Sequence, residues 1–232
     1  MILDLSPLRR HRDFRLLFFG QLVSFFGSML TYVAVPYQVF QLTRSSLTVG
    51  LLGTVQLVPL VLFGLLGGAY ADAMDRRRLL IGAEALLALV SAGLAANAMA
   101  PHPSVAVVFA LTGLMSAVNG FHRPTLEAMS PRLVDRDELP ATAALTSLRG
   151  SLGAVAGPAL GGFCIARLGT SATFLVDVAT FLFSLVAGWP PWRRCRPRRR
   201  RRSPACAASS RGSTTRGAAP SSSAPTSSTS SP

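Results

Sequence analysis

The sequence predicts an all-α membrane protein that folds as a six-transmembrane-helix bundle. Three observations favour this class: 50% of the 232 residues are apolar, only 14% are charged, and the mean hydropathy is +0.42. Soluble globular domains carry about 25% charged residues, so this composition excludes an ordinary soluble domain.

Six apolar segments have the length that a membrane helix needs. A hydrocarbon core about 30 Å thick takes roughly 20 helical residues, whose backbone groups pair within the segment. The six segments are Leu16–Leu42, Leu47–Ala71, Leu79–Ala100, Val105–Phe121, Leu145–Ala166 and Ala172–Trp189. Turn-forming or charged stretches separate them, namely TRSS, ADAMDRRR, PHPS, HRPTLEAMSPRLVDRDELP and RLGTS. We therefore expect a membrane domain over residues 16–189.

The segment before the first span, residues 1–15, is predicted to be cytoplasmic and to stay attached. It carries acids among its bases, and no clear small-residue cleavage site follows it. Ten arginines flank the spans on this side, whereas the opposite loops hold only Arg44 and Arg167. The ten are Arg9, Arg10, Arg12, Arg15, Arg76, Arg77, Arg78, Arg123, Arg132 and Arg136. By the positive-inside rule, both termini of this multi-pass protein should lie in the cytoplasm, with the spans in the plasma or inner membrane.

The C-terminal segment, residues 190–232, has a different character. It holds ten arginines and no acidic residue, and beyond Trp192 it lacks Val, Ile, Leu, Met, Phe and Tyr. Such a segment buries too little apolar surface to fold, so we expect a disordered tail. It would bind anionic lipid or nucleic acid non-specifically, or remain solvated without a role, which is the favoured interpretation. We expect no specific nucleic-acid partner.

The end of this tail also suggests a frameshift. Read one nucleotide earlier with permitted GC-rich codons, RGSTTRGAAPSSSAPTSSTS becomes EGLDYARGRPELLGTYLVDL, which resembles a linker that enters a seventh span. The coding DNA decides this hypothesis. The three cysteines, Cys164, Cys195 and Cys206, share no metal-ligand spacing, and we expect no disulfide framework, metal or cofactor.

A charged turn between the second and third spans carries the first motif. It reads GGAYADAMDRRRLLI, with Gly68, then Asp72, then Arg76–Arg78. This pattern resembles the loop between helices two and three of the major facilitator superfamily. Two positions depart from it: Ala73 replaces a basic residue, and Asp75 replaces a frequent glycine. The second departure resembles the branch of that superfamily that contains enterobactin and macrolide exporters.

The resemblance implies that this loop is a gate. In the family, the aspartate meets the positive N-terminal end of a helix in the other half of the transporter and steadies one access state. Asp72 would make that contact, with Gly68 and the three arginines completing the loop. The alternative is a hydrated loop that simply obeys the positive-inside rule. Six spans in order and a second motif favour the gate.

The second motif is the sequence RGSLGAVAGPALGG in the fifth span. From Gly150, glycines recur at steps of three, four and four residues and form one helical face that a neighbouring helix can approach closely. Pro158 removes a backbone donor and bends the helix. The motif is similar to the antiporter motif in helix five of the superfamily, which implies a kinked packing face typical of exporters. The matching residues are Gly153, Gly157, Pro158, Gly161 and Gly162. A generic small-residue packing face is the alternative.

Two acidic residues lie inside apolar spans, Glu84 in the third and Asp177 in the sixth. Because ionisable groups in lipid are energetically expensive, both are candidate proton carriers. The alternatives are that Glu84 snorkels to the interface and that Asp177 serves packing near the outer side. Five amides either line a substrate path or bond between helices, the second being favoured for each: Gln21, Gln38, Gln41, Gln56 and Asn119. His102 lies in an external loop and His122 at a helix end, and neither is predicted to be a catalytic base.

The resemblance implies a twelve-helix exporter, of which this chain supplies the N-terminal six-helix half. The expected partners are the bilayer, protons, a small organic molecule such as a siderophore or drug, and either the missing C-terminal half or a second copy. Alone, the chain is expected to transport poorly or not at all. An intramembrane serine protease is disfavoured, since no GxSxG occurs, and we expect no enzymatic activity. A non-catalytic assembly or regulatory subunit is the main alternative.

Overall fold

The computed structural model describes residues 6–73 and 75–188, without the side chains of residues 67–73, 132 and 188. Within these ranges the chain is helical and forms no strand, which confirms the all-α class. The helices are α1 (Ser6–Arg10), α2 (Arg12–Thr43), α3 (Ser46–Ala73), α4 (Arg76–Met99), α5 (Val105–Met129) and α6 (Leu139–Gly188), with 3-10 turns at Ser130–Arg132 and Arg136–Glu138. The predicted tail, residues 190–232, lies outside the described residues.

Helix α6 contains two membrane crossings. Its 50 residues would extend about 75 Å, more than twice the thickness of a hydrocarbon core. Inside it, Gly169 has φ 81° and ψ 172°, a conformation essentially restricted to glycine, and the helix kinks there. We refer to residues 139–168 as the first arm and to residues 170–188 as the second arm. The predicted RLGTS interruption is thus confined to one non-helical residue.

Contacts with α2 show that the two arms run in opposite directions. The first arm runs parallel to α2, because residue numbers increase in the same direction along both helices. The contacting pairs are Gly153 with Phe25, Gly157 with Met29 and Gly161 with Val33. The second arm runs antiparallel to α2, as the pairs Asp177 with Thr31 and Ser184 with Gly20 show. The two arms therefore form a hairpin, and the described chain has six spans, as predicted.

Helix α5 is longer than predicted. The sequence HRPTLEAM was assigned to a loop after Phe121, but α5 continues to Met129. Pro124 removes only its own backbone donor, and the Thr125 hydroxyl donates to the carbonyl of Phe121 at 2.7 Å. Leu126 and Met129 are buried against α2, and this packing favours helix over loop.

Three apolar clusters follow one another along the bundle. The first, near the start of α2, contains Phe14, Leu17, Leu80, Leu126, Met129, Leu133 and Leu145. The middle cluster contains Ala83, Leu87, Ala88, Val118 and Phe181, and the far cluster includes Ala34, Val35, Val39, Leu94, Val108 and Phe174. At the first end, Glu138 lies 2.8 Å from the His11 ring and 3.6 Å from Arg10. The N-terminal helices are therefore tied to the α5–α6 connection, an end of the bundle that we name the basic end.

Candidate functional site

The predicted gate lies at the turn between α3 and α4. Gly68 and Asp72 belong to the last turns of α3, and their side chains lie outside the described residues. The contact predicted for Asp72 therefore stays a prediction.

The three arginines open α4, as the sequence indicates. Asp75 caps this helix, since its carboxylate accepts a hydrogen bond from the Arg77 backbone N–H at 3.1 Å and lies 3.8 Å from Arg78 Nε. Arg76 donates to the carbonyl of Ala128 at 3.4 Å. This hydrogen bond joins the start of α4 to the end of α5. A movement of either helix would therefore displace the turn between α3 and α4.

The glycines of the first arm pack against α2 at three of the predicted positions. At Gly153 and Gly157 the nearest neighbours of an added Cβ would be the Phe25 ring and the Met29 side chain. At Gly161 they would be Val33 at 3.1 Å and the backbone of α2 at 3.5 Å. Gly150 and Gly162 have nothing within 4 Å, so they do not belong to this contact face. Pro158 lies between the packed glycines, inside a continuous helical arm.

Glu84 is held in the bundle interior by residues of three other helical segments. Its side chain accepts hydrogen bonds from the Gln21 amide of α2 and, at 2.9 Å, from the Ser184 hydroxyl of the second arm. The ring Nε2 of His122, on α5, is 3.7 Å away. Glu84 is only 3% exposed, so it does not snorkel to the interface in this structure.

Asp177 has a second, separate set of partners. The hydroxyls of Thr31 and Ser91 both donate to its Oδ2 at 2.7 Å. All three residues are buried, and Asp177 is fully so. Since Thr31 lies on α2 and Ser91 on α4, this carboxyl group joins the second arm to two other helices.

His122 lies inside α5 and not at a helix end, contrary to the sequence-based prediction. The correction follows from the extension of α5 to Met129. The side chain is 9% exposed, faces Glu84 and lines a cavity. The sequence-based prediction ended this helix at Phe121 because charged residues and a proline follow in HRPTLEAM. The signal for a longer helix was the apolar residues that recur within this stretch.

Two adjoining cavities are lined by neighbours of these carboxylates, Gln21 and His122 in the first and Thr31 in the second. The first, about 130 Å³, is bounded by α2, α4, α5 and both arms of α6. The second, about 340 Å³, lies between α2, α3 and α5. They share Ser28, Met29, Asn119 and Arg123. Three predicted path residues line them, namely Gln21, Gln56 and Asn119. Gln38 is buried elsewhere, and Gln41 donates to Tyr37 on the surface.

The site gathers polar side chains of several chemical kinds. Among the described residues no group of three or more His, Cys, Asp or Glu side chains is placed to hold a metal. The converging groups include two carboxylates and one imidazole, which can exchange protons, beside hydroxyls and amides, which donate and accept hydrogen bonds. Beside them lies a cavity open to small molecules.

Comparisons with known proteins agree with this geometry. A family described as "Transmembrane secretion effector" matches residues 2–209. The enterobactin exporter EntS of Salmonella typhi is 32% identical over 186 residues, which are 78% of this chain and 44% of that protein. The same exporter from Citrobacter koseri is 32% identical over 200 residues, 82% of this chain and 47% of that protein. The chain thus spans about half the length of the curated relatives it matches. Together with the long apolar helices, these matches support a multi-pass inner-membrane protein.

Proposed function

Because the chain belongs to the transmembrane secretion effector family of the major facilitator superfamily, we propose that it is the N-terminal half of a proton-coupled exporter of small organic molecules. One observation carries this proposal. The segment that matches about half of each relative folds here into six spans around two buried, hydrogen-bonded carboxylates. Family membership also favours transport over an enzymatic role. Candidate substrates are a siderophore such as enterobactin, from the relatives' names, or a drug-like molecule.

Glu84 and Asp177 are the proposed proton carriers. Each is buried and receives two hydrogen bonds from neutral side chains of other helices. Among the described residues neither carboxylate has a Lys or Arg partner within 4 Å, which suits a group that alternates between protonated and ionised forms. His122 stands between Glu84 and the cavity and offers a route for the proton.

The remaining parts of the proposal concern movement. Asp72 and the arginines after it would gate access from the cytoplasm, where both termini would lie. The glycine face of the first arm would let that arm and α2 move as one rigid body. Alternating access requires a second bundle to rock against, so the C-terminal half or a second copy would complete the transporter. The chain alone would be inactive.

Co-expression with a complementary half tests the proposal. The chain would be produced with the C-terminal half of EntS in Escherichia coli that lacks its own enterobactin exporter, and enterobactin in the medium would be measured. We expect secretion from the pair and not from either half alone. Glu84→Gln should lower it at least about a hundredfold, the lower end for a lost proton-transfer group. Asp72→Asn, at the proposed gate, should also lower it. Asp137→Asn, an exposed acid at the basic end, is the matched control.

The regulatory-subunit alternative predicts a different result. A subunit that only assembles with other membrane proteins needs neither carboxylate for transport. Secretion by the pair that is unchanged in both variants, at equal protein levels, would favour this alternative and contradict the exporter.

A further inference from the structure

Two arginines of the membrane helices line the first cavity. Arg123 lies six residues before the end of α5, and Arg149 lies ten residues into the first arm. At 1.5 Å per residue these positions are about 9 and 15 Å inside the helix ends. Arg123 is an exposed residue, and Arg149 is half-buried. Both side chains line the cavity, so both can meet a ligand that enters it.

Neither arginine has an ion-pair partner within 4 Å among the residues that the structure describes. The Nε of Arg149 is buried without a hydrogen bond, and its guanidinium stands over the Phe25 ring at 5.6 Å. Among the described residues that line the cavity, Arg123 and Arg149 carry positive charge and Glu127 carries negative charge. The cavity wall therefore holds more positive than negative charge and has unused hydrogen-bond donors.

We infer that this cavity binds an organic anion with an aromatic or apolar body, whose oxyanion is held by Arg123 and Arg149. A guanidinium group offers paired donors that match the geometry of a carboxylate. The second cavity continues from Arg123 past Tyr32 and Leu57, and at about 340 Å³ it has the size of a small-molecule pocket. The anionic head would lie near the arginines and the apolar body beside these side chains.

This inference names the substrate class of the proposed exporter and rests on that function for its biological meaning, but its test needs no transport. The full chain would be reconstituted in lipid nanodiscs after its cysteines, Cys164, Cys195 and Cys206, are replaced by serine. Ser28→Cys would then place one thiol in both cavities. Its labelling rates with anionic sulfonatoethyl and cationic trimethylammonium-ethyl methanethiosulfonates would be compared with those of Ser104→Cys, an exposed position in the α4–α5 loop.

We expect the anionic reagent to be favoured at Ser28→Cys relative to Ser104→Cys. Arg149→Gln and Arg123→Gln should each reduce this preference about tenfold, the lower end of electrostatic focusing in charged clefts. Arg149→Lys keeps the charge and should keep most of the preference. Arg167→Gln is the matched control, because Arg167 also stands over a phenylalanine ring, at 5.7 Å, but lies on the exposed part of the first arm.

The ligand class is tested with two probes of equal shape. 1-Naphthoate should protect Ser28→Cys from labelling in a saturable way, and neutral 1-naphthamide should not. Arg149→Gln should weaken protection by naphthoate about tenfold, the loss of one charge-assisted hydrogen bond. Equal protection by both probes, or no reagent preference in the parent chain, would overturn the inference. The parent and the Lys variant decide this even where a Gln variant fails to fold.

The two proposals can fail separately. Charge-dependent protection by naphthoate in a chain whose co-expressed pair secretes nothing would retain the anion site and refute the exporter. Secretion by the pair without protection by naphthoate would retain the exporter and refute the anion site.

Discussion

A carboxyl group inside an apolar bundle needs hydrogen-bond partners, and Asp177 obtains them from side chains far away in sequence. The hydroxyls of Thr31 and Ser91 converge on one of its oxygens. Buried hydroxyls in turn need an acceptor, because an unsatisfied polar group costs about 1–3 kcal/mol. The three residues therefore depend on one another, and they join α2, α4 and the second arm of α6.

This mutual dependence predicts a difference between two substitutions of Asp177. Asp177→Leu leaves both hydroxyls without their acceptor and should lower the free energy of unfolding by about 1–3 kcal/mol. Asp177→Asn keeps an acceptor oxygen and should cost less than about 1 kcal/mol. Unfolding of the purified chain in mixed detergent micelles, followed by circular dichroism, measures both. Equal losses in the two variants would show that the hydroxyls do not depend on this oxygen.

The sequence identified the two carboxylates but not their surroundings. Glu84 and Asp177 are visible because an acid in an apolar run is rare. Their partners are ordinary serine, threonine and glutamine residues, brought together only by helix packing. His122 was missed for a related reason: its role depends on where α5 ends, and burial against α2 sets that end.

At the scale of helices, glycine determines which pairs pack most closely. Helix α5 meets α3 at Gly120, where an added Cβ would lie 2.8 Å from the Gly64 nitrogen and 3.0 Å from the Leu60 carbonyl oxygen. The neighbours at Gly153 and Gly157 are instead flexible side chains of α2. Backbone atoms cannot rotate away as a side chain can, so the α3–α5 contact is the less tolerant one.

Gly120→Ala should therefore separate α5 from α3. We expect a loss of about 1–3 kcal/mol, typical of overpacking, measured by thermal unfolding of the purified chain. Gly150→Ala is the matched control, because nothing lies within 4 Å of Gly150 and alanine is the better helix former. A stable Gly120→Ala chain would mean that the two helices can shift apart without cost.

The boundaries of the helices show where sequence reasoning succeeds and where it stops. The starts of α4 and α5 were predicted to within a few residues, because a charged turn precedes α4 and a proline-rich turn precedes α5. The end of α5 was not, since it depends on packing against other helices. The break in α6 was predicted within RLGTS, and the structure confines it to Gly169.

The backbone conformation of Gly169 predicts that a larger residue there destabilises the protein. With φ at 81°, an alanine at this position would be strained by about 1–3 kcal/mol. Gly169→Ala should destabilise the hairpin of α6 by that amount in the same unfolding assay. Gly162→Ala, at a helical position with open space, should be neutral or stabilising. Equal stability of the two variants would show that the turn can move to a neighbouring residue.

At the scale of the whole bundle, charge and packing agree on which segments share an end. Arg10 and His11 contact Glu138, and Arg76 contacts the end of α5. The structure thus gathers at one end the segments that the positive-inside rule assigns to the cytoplasm. The arginine count predicts that this end faces the cytoplasm, and the proposed gate depends on that orientation.

Cysteine labelling in spheroplasts tests the orientation. In the cysteine-free chain, Ser104→Cys, in the α4–α5 loop, should react with a membrane-impermeant maleimide in intact spheroplasts. Asp135→Cys, exposed at the basic end, should react only after permeabilisation. The expected contrast follows from the cost of moving an arginine-rich loop across the membrane. The reverse pattern would place the turn of Asp72 and Arg76–Arg78 outside the cell, where it could not gate entry from the cytoplasm, and the exporter mechanism would fail with it.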